Sequence, residues 1–175
     1  MIGNYLEELE EVHKSMLNQS GTIEEAAGII KKSELVLTMG NGGSSSTAQH
    51  LAQGLCDVGI RAICLTDNVS LLTALSNDED YEESLRWLVR LFSRKGECVT
   101  IVVISASGNS PNIVNAVEEA KRLHVRSIGL LGFGGGSVGS MATLSVILNS
   151  RDYGIIEDAH LSLCHIICRL IDGGI

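Results

Sequence analysis

Near its start the chain has two stretches in which apolar residues recur at the three-to-four spacing of amphipathic helices. The apolar face of the first stretch consists of Leu6, Leu9, Val12 and Met16. In the second stretch, residues 22–25 (TIEE) have the pattern of a capping box and predict a helix that ends near Lys32. Because such apolar faces need a partner surface, we predict that these two helices, at about residues 4–33, mediate self-association.

Five short apolar runs follow, and helical patterns separate them. The predicted strands are residues 35–39, 61–65, 98–104, 127–131 and 144–148. Asn68 and Ser110 are placed to begin helices as N-cap residues, and a final helix is predicted to start near Gly154 and to reach Ile171. The third run shows no alternation of polar and apolar residues, as expected for a strand that is covered on both faces.

Strands that alternate with helices in this way predict an α/β fold. We expect a three-layer αβα sandwich, in which helices cover both faces of a doubly wound, five-stranded parallel sheet and the two N-terminal helices add to this core. Hydrophobic residues make up 45% of the chain and aromatic residues only 3%, a composition typical of a buried parallel sheet. No linker or repeat divides the chain, so residues 1–175 are predicted to form a single domain.

Two of the predicted strands end in turns that are rich in glycine, serine and asparagine. The first turn is residues 40–46 (GNGGSSS) and the second is residues 105–110 (SASGNS). A turn of this kind, before a helix, leaves N–H groups and hydroxyls at the positive end of the helix, where phosphate is the usual ligand. For a single turn, ordinary turn chemistry with helix capping is the better interpretation. Two turns at one edge of a parallel sheet favour a shared anion site.

Composition restricts the class of protein. The net charge is −8, without a run of lysine and arginine that would bind a nucleic-acid backbone, and no apolar run approaches the roughly 20 residues of a membrane span. The five cysteines are odd in number and lie in apolar runs, and no signal-peptide pattern is present, so we expect a reduced, cytoplasmic protein. The third glycine of a dinucleotide fingerprint is replaced by Ser45 and no Walker lysine is present, so no nucleotide cofactor is expected.

Several linked motifs resemble those of the SIS (sugar isomerase) domain family, and within it the phosphoheptose isomerase branch. The motifs are Gly40 to Ser44 with Ala48-Gln49-His50, Leu72-Thr73-Ala74, Asn77-Asp78, Ile104 to Pro111, Ile128-Gly129-Leu130, and Glu157 to His160 with His165. They extend over almost the whole chain. The resemblance implies the same five-stranded sandwich, a homotetramer with sites at subunit interfaces, and an isomerase that acts on sedoheptulose 7-phosphate or a related sugar for surface-glycan precursors.

The same resemblance implies a set of substrate-binding residues, in which the serines hold the phosphate and the asparagine and aspartate hold the sugar. This set is Asn41, Gly42, Ser44, Asp78, Ser105, Ser107 and Ser110. The chain also departs from the family pattern. It has Gly54 where the family has its catalytic glutamate, Glu157 where the family has a glutamine, and Gly154 where the family has an aspartate. The stretch of residues 56–60 is shorter than the family loop that carries an arginine toward a neighbouring site.

Isomerisation of a ketose to an aldose needs a base beside C1 and C2 and a group that polarises the carbonyl. Glu157 and His165 are the predicted catalytic pair, because residues eight apart lie about 80° apart around a helix. Glu157 and His160, three apart, share a face more directly. A structural role stays open for each: a glutamate in a first turn is favoured by the helix dipole, and a histidine in an apolar helix is often a core residue.

The resemblance implies a metal site as well. Its ligands here would be His50, Glu157 and His165, an oxygen and nitrogen set with an open position that suits a catalytic zinc ion. A second function stays open: a non-catalytic module that binds a sugar phosphate or another protein, since some relatives of this branch lack the glutamate and bind a replication initiator.

Overall fold

The computed structural model describes residues 2–173, in which helices and strands alternate as the sequence predicts. The helices are α1 (Ile2–Ser15), α2 (Ser20–Lys31), α3 (Gly43–Asp57), α4 (Val69–Asp78), α5 (Tyr81–Phe92), α6 (Pro111–Arg122), α7 (Gly136–Met141) and α8 (Tyr153–Asp172). The strands are β1 (Leu35–Gly40), β2 (Ala62–Cys64), β3 (Val99–Ser105), β4 (Arg126–Leu131) and β5 (Leu144–Ile147). A short 3-10 helix over Met16–Gln19 joins α1 to α2.

The five strands form one parallel sheet in the order β2-β1-β3-β4-β5. β1 lies beside β3, with Leu35 opposite Val99 and Gly40 opposite Ile104. From β1 the chain moves outward to β2 and then returns to the other side for β3, so the strand order reverses between β1 and β3. Ligands of doubly wound sheets bind outside the carboxyl ends of the strands at such a reversal. The predicted αβα sandwich is confirmed, and both serine-rich turns lie at this point.

Helices cover both faces of the sheet, and the strand side chains alternate between two aliphatic cores. On one face Val36 and Val102 pack with α1, α2, α3 and α8. On the other face Leu37 and Val103 pack with α5, α6 and α7. Full burial of one such side chain contributes about 1.5–3 kcal/mol, so the two cores hold the sheet rigidly beneath the turns.

Most of the predicted helix starts are confirmed, but the capping box is not. Asn68 accepts a hydrogen bond from Leu71 N at 3.1 Å, as an N-cap does, and Ser110 precedes Pro111 at the start of α6. By contrast α2 begins at Ser20, directly after the 3-10 helix. Thr22 is therefore the third residue of α2 and does not stand at the N-cap position that a capping box requires.

The N-terminal helices pack against α8 of the same chain. Tyr5 Oη donates a hydrogen bond to Asp158 at 2.7 Å, and Lys31 Nζ donates one to the carbonyl oxygen of Ile171 at 2.8 Å. Part of the apolar surface of these helices is left uncovered, so self-association stays a prediction. The exposed apolar side chains of this region are Ile2, Leu6 and Leu17. Among the described residues, none of the helices combines the length and the apolar character that a bilayer crossing requires.

Candidate functional site

The first serine-rich turn links β1 to α3 at the carboxyl edge of the sheet. Gly42 has a φ of +56°, in the left-handed region that favours glycine, and α3 begins at the next residue. Since the first N–H groups of a helix have no partner within it, Gly43 and Ser44 present theirs at the positive end of α3. Ser45 Oγ is paired with the Thr66 hydroxyl at 2.6 Å, whereas the Ser44 hydroxyl has no hydrogen bond among residues 2–173.

The second turn links β3 to α6, and two of its serine hydroxyls accept hydrogen bonds from the turn while keeping their own hydrogens. Ser105 Oγ accepts a hydrogen bond from Gly108 N at 3.1 Å, and Ser107 Oγ accepts one from Asn109 N at 3.2 Å. Each hydroxyl therefore keeps its own hydrogen for an outside acceptor. Ser110 makes no side-chain cap hydrogen bond, so its hydroxyl is also available. The two turns together thus carry four serine hydroxyls at neighbouring strand ends, and their binding of one shared anion stays a prediction.

An asparagine pair joins the two turns. Asn41 Nδ2 donates to Asn112 Oδ1 at 2.9 Å, and Asn112 Nδ2 donates to Asn41 Oδ1 at 2.8 Å. Tyr81 Oη adds a hydrogen bond to Asn41 Oδ1 at 2.7 Å. Both lone pairs of the Asn41 amide oxygen are thus used within the protein, and one N–H of its amide is left for the predicted sugar contact. The sequence reasoning missed Asn112 and Tyr81, because their partner is distant in the chain.

A third loop closes one side of the site. Asn109 Oδ1 accepts hydrogen bonds from Ser137 N and Ser137 Oγ, both at 2.9 Å, across the glycine-rich loop that follows β4. Gly108 has a φ of +63°, and a Cβ there would overlap the carbonyl oxygen of Gly135. The glycine-rich loop at residues 132–136 therefore supports the second serine turn.

Asp78, predicted to hold the sugar, lies at the end of α4. It is exposed, and its Oδ1 accepts a hydrogen bond from its neighbour Asn77 at 3.0 Å. The structure shows no hydrogen bond between Asp78 and either serine turn in the described part of the chain. A role for Asp78 in sugar binding therefore stays a prediction.

Glu157 lies against the first serine turn. A Cβ on Gly43, the first residue of α3, would overlap both carboxylate oxygens of Glu157. The carboxylate therefore lies at the N-terminus of α3, where a negative charge is favoured by about 0.3–1 kcal/mol.

His165 lies instead against His50. The two ring centroids are 4.8 Å apart with an interplanar angle of 72°, and both side chains are exposed. His165 follows Glu157 by eight residues of α8, a rise of about 12 Å along the helix axis. Within a single chain Glu157 and His165 therefore lie at different levels of α8, and their role as a catalytic pair stays a prediction. The angle around the helix was correct, but the rise along it keeps the two side chains apart.

The predicted zinc ligands are not grouped either. Among residues 2–173, no three His, Cys, Asp or Glu side chains lie close enough together to hold one metal ion. His50 and His165 are neighbours, while Glu157 is at Gly43. Cys168 lines the same cavity as this pair of imidazoles, but its thiol suits zinc poorly. Burial raises the pKa of Cys168, and nearby Asp57 raises it further. The residues present do not fit a three-ligand zinc site.

A cavity of about 240 Å³ adjoins the histidine pair, and Gly54 forms part of its lining. It is lined by His50, His165, Gly54 and Cys168, among others. A Cβ on Gly54 would lie 3.1 Å from Cys168 Sγ. The thiol of α8 therefore occupies the space beside Gly54, the position at which the family resemblance places a carboxylate.

His160 is a core residue and not part of the site. Its side chain is fully buried, and neither ring nitrogen meets the geometry of a hydrogen bond within residues 2–173, although the Leu131 backbone lies near enough to favour the protonated ring. Burial lowers the pKa of His160 to about 4, and the nearby Leu131 backbone opposes that change only in part. The core-residue interpretation of this histidine is therefore the correct one.

The fold is that of a doubly wound α/β protein with two glycine- and serine-rich turns at its topological switch point. Residues 2–132 match the SIS domain, and the chain belongs to that family. A phosphoheptose isomerase of Pelobacter propionicus is 38% identical over 150 residues, which cover 81% of this chain and 77% of that protein. One from Campylobacter concisus is 33% identical, with 98% and 95% covered. The solved structure of a phosphoheptose isomerase from Francisella tularensis superposes with a TM-score of 0.91 at 29% identity, over 98% of this chain and 96% of that one.

Proposed function

We propose that this chain is an isomerase that interconverts ketose and aldose phosphates, and that its substrate is sedoheptulose 7-phosphate or a related phosphorylated sugar. The observation that carries the proposal is the pair of serine turns at the switch point of the sheet. The kinship with proteins named phosphoheptose isomerase supports an isomerase over a module that only binds. We place its product in surface-glycan or other modified-sugar synthesis.

The phosphate is bound by both turns. Ser105 and Ser107 each keep a hydroxyl hydrogen to donate, and Ser44 and Ser110 add two further hydroxyls. A hydrogen bond to a charged group contributes about 1.5–3 kcal/mol, so loss of one of these hydroxyls is expected to weaken binding by roughly ten- to a hundredfold.

The carbonyl end of the sugar reaches the two imidazoles. His50 follows Gly43 by seven residues of α3, a rise of about 10 Å, which is close to the length of an extended seven-carbon sugar phosphate. An imidazole is suited to move a proton between C1 and C2 near neutral pH. We therefore assign the proton transfer to His165, with His50 orienting it by edge-to-face contact.

Glu157 acts at the phosphate end of the same site. Its carboxylate shares the N-terminus of α3 with the phosphate and is available to accept hydrogen bonds from sugar hydroxyls. In this proposal Glu157 contributes to the predicted catalytic pair by orienting the sugar, while His165 moves the proton. No step of this mechanism passes through zinc, because the ligand set does not fit the ion.

The assembly proposed here is a cytoplasmic homotetramer of single SIS domains over residues 1–175. Exposed apolar side chains on α1, on the 3-10 helix and on α8 support contact between copies. Their members on α8 are Leu161, Ile166 and Leu170. Light scattering on the purified protein tests this assembly, and a monomer mass at micromolar concentration contradicts it.

The decisive experiment follows sedoheptulose 7-phosphate by NMR and records whether an aldose heptose phosphate forms. His165→Asn should reduce turnover by about 10²–10⁴-fold while sugar-phosphate binding persists. Ser107→Ala should weaken binding, and Ser140→Ala, an exposed serine outside both turns, serves as the matched control. If the wild-type chain binds a panel of ketose and aldose phosphates but converts none of them, the isomerase proposal is wrong and the binding module replaces it.

A further inference from the structure

A second cleft lies at the opposite, amino-terminal edge of the sheet. It is formed by the loop before β3 and the loop before β4 and has a volume of about 470 Å³. This amino-edge cleft is lined by Arg94, Lys95, Glu97, Cys98, His124 and Arg126, among others. β3 has seven residues, so the cleft is about 20 Å from the serine turns along the strand. Nothing in the proposed isomerase mechanism uses it.

The cleft is cationic on a chain whose net charge is −8. Arg94, Lys95 and Arg126 face it, and none of the three forms a salt bridge within residues 2–173. Glu97 is the one acidic residue in its lining, and its carboxylate is paired with Arg61 at 3.3 Å. Three cations thus meet in one concave space, against Glu97, which pairs with Arg61, and Glu34, whose carboxylate accepts a hydrogen bond from Cys98 N.

The cationic groups are partly held in place. Arg126 is half-buried, and one nitrogen of its guanidinium donates to Cys98 Sγ at 2.9 Å, which leaves its other N–H groups free. The loop before β4 is fixed by a hydrogen bond from Val125 N to the carbonyl oxygen of Ala120 at 2.8 Å. Cys98 N in turn donates to Glu34 at 2.6 Å. The side of the cleft formed by Arg126 and Cys98 is therefore preformed, and the exposed side chains of Arg94 and Lys95 complete the cationic rim.

We propose that the amino-edge cleft is a second anion site, which takes a small phosphorylated molecule independently of the serine turns. Guanidinium groups bind phosphate oxygens in a fork, and a lysine adds a point charge, so Arg94, Arg126 and Lys95 suit a phosphate better than a single carboxylate. The volume lies in the range of small-molecule pockets, about 300–1,000 Å³. Since the site is remote from the serine turns, its ligand does not compete with the isomerase substrate for the same atoms.

Cys98 provides a built-in reporter for the test. The full chain is treated with the dianionic disulfide dithionitrobenzoate and, separately, with the neutral disulfide dithiodipyridine, and labelling at each cysteine is followed by peptide mass spectrometry. Cys56 is the internal comparison, because its thiol is exposed beside Asp57 and donates to the carbonyl oxygen of Ala62. The ratio of the Cys98 rate to the Cys56 rate should be about tenfold higher with the dianionic reagent.

Inorganic phosphate is the ligand probe, added at constant ionic strength. It should slow labelling at Cys98 and leave Cys56 unchanged. The double change Arg94→Ala and Lys95→Ala should abolish both the reagent preference and this protection. Arg151→Ala is the matched control, since Arg151 is an exposed arginine that follows β5 at the other edge of the sheet.

The outcome separates this site from the serine turns. Ser107→Ala should weaken binding at the turns and leave the protection of Cys98 intact, so failure of one proposal does not imply failure of the other. Equal reagent preference at both cysteines overturns the proposal, as does phosphate protection that is lost in Ser107→Ala. Protection by acetate as strong as that by phosphate overturns the assignment of a phosphorylated ligand.

Discussion

His160 gives the sharpest test of the structure, because its burial has a calculable consequence for stability. Its pKa is lowered from the ordinary value of 6.5 to about 4, mainly by desolvation. The unfolded chain therefore binds a proton at higher pH than the folded chain does. Above about pH 6.5 this residue does not reduce the unfolding free energy. The unfolding free energy decreases as the pH falls from about 6.5 to about 4, and below that range His160 causes no further change.

The size of this loss follows from the same pKa. A pKa difference of one corresponds to about 1.4 kcal/mol, so the change from 6.5 to about 4 corresponds to about 3 kcal/mol of unfolding free energy. His160→Leu removes the titrating group and also the two buried nitrogens that lack partners. Each such nitrogen costs free energy when buried, so the variant should be at least as stable as the wild type at neutral pH.

Urea unfolding at a series of pH values between about 7.5 and 4.5 measures the effect. The wild type should lose stability across this window, and His160→Leu should lose much less. His124→Asn is the matched control, because His124 is exposed and has a φ of +58° that asparagine tolerates. The reasoning is refuted if the wild type and His160→Leu show the same dependence on pH.

Three further predictions follow from single contacts. Hydrogen bonds from Arg122 and Arg90 lower the pKa of Glu119 to about 2. The ionised carboxylate therefore stabilises the folded state above pH 4.5, and this stabilisation is lost as the pH falls toward 2. In urea unfolding, Glu119→Gln should lose less unfolding free energy in acid than the wild type does. Gly108→Ala forces a Cβ into the loop after β4 at a positive φ, and should lower both the melting temperature and sugar-phosphate affinity by more than Ser140→Ala does. Glu157→Gln removes a negative charge beside the proposed phosphate site but keeps one oxygen that accepts hydrogen bonds from sugar hydroxyls, and should tighten sugar-phosphate binding by about 1 kcal/mol, roughly fivefold, in titration calorimetry; unchanged affinity contradicts the proposed proximity of its carboxylate to the phosphate.

The elements of the fold were predictable because their signals are local. An apolar run of strand length or a helical spacing is read from neighbouring residues, and so is an N-cap such as Asn68. The capping box at Thr22 was wrong for a reason that is not local. The chain enters α2 from a 3-10 helix that continues α1, and this junction places Thr22 inside the helix.

The site was predictable only as far as topology determines it. Parallel strands place their carboxyl ends at one edge, so the meeting of the two serine turns followed from strand order alone. The contact of Asn41 with Asn112 spans 71 positions and that with Tyr81 spans 40, and both depend on how α5 and α6 approach the sheet. No periodicity in the sequence records that approach.

The arrangement of α3 and α8 explains why the acid and the histidine separate. Gly43 contacts Glu157, His50 contacts His165, and Gly54 contacts Cys168, so both helices use positions that span eleven residues, or about three turns.

Contacts that recur in this order mean that the two helices run side by side in the same direction. Each turn of α3 then lies beside the corresponding turn of α8, so a side chain of α8 that lies beside the first serine turn cannot also reach the histidine pair. Glycine at both ends of the contacting face of α3 lets side chains of α8 approach closely. A larger residue at Gly43 therefore acts on Glu157, and one at Gly54 acts on Cys168. The distance between the first serine turn at Gly43 and the imidazoles of His50 and His165 is set by this pairing of the helices, and not by the choice of acid at residue 157.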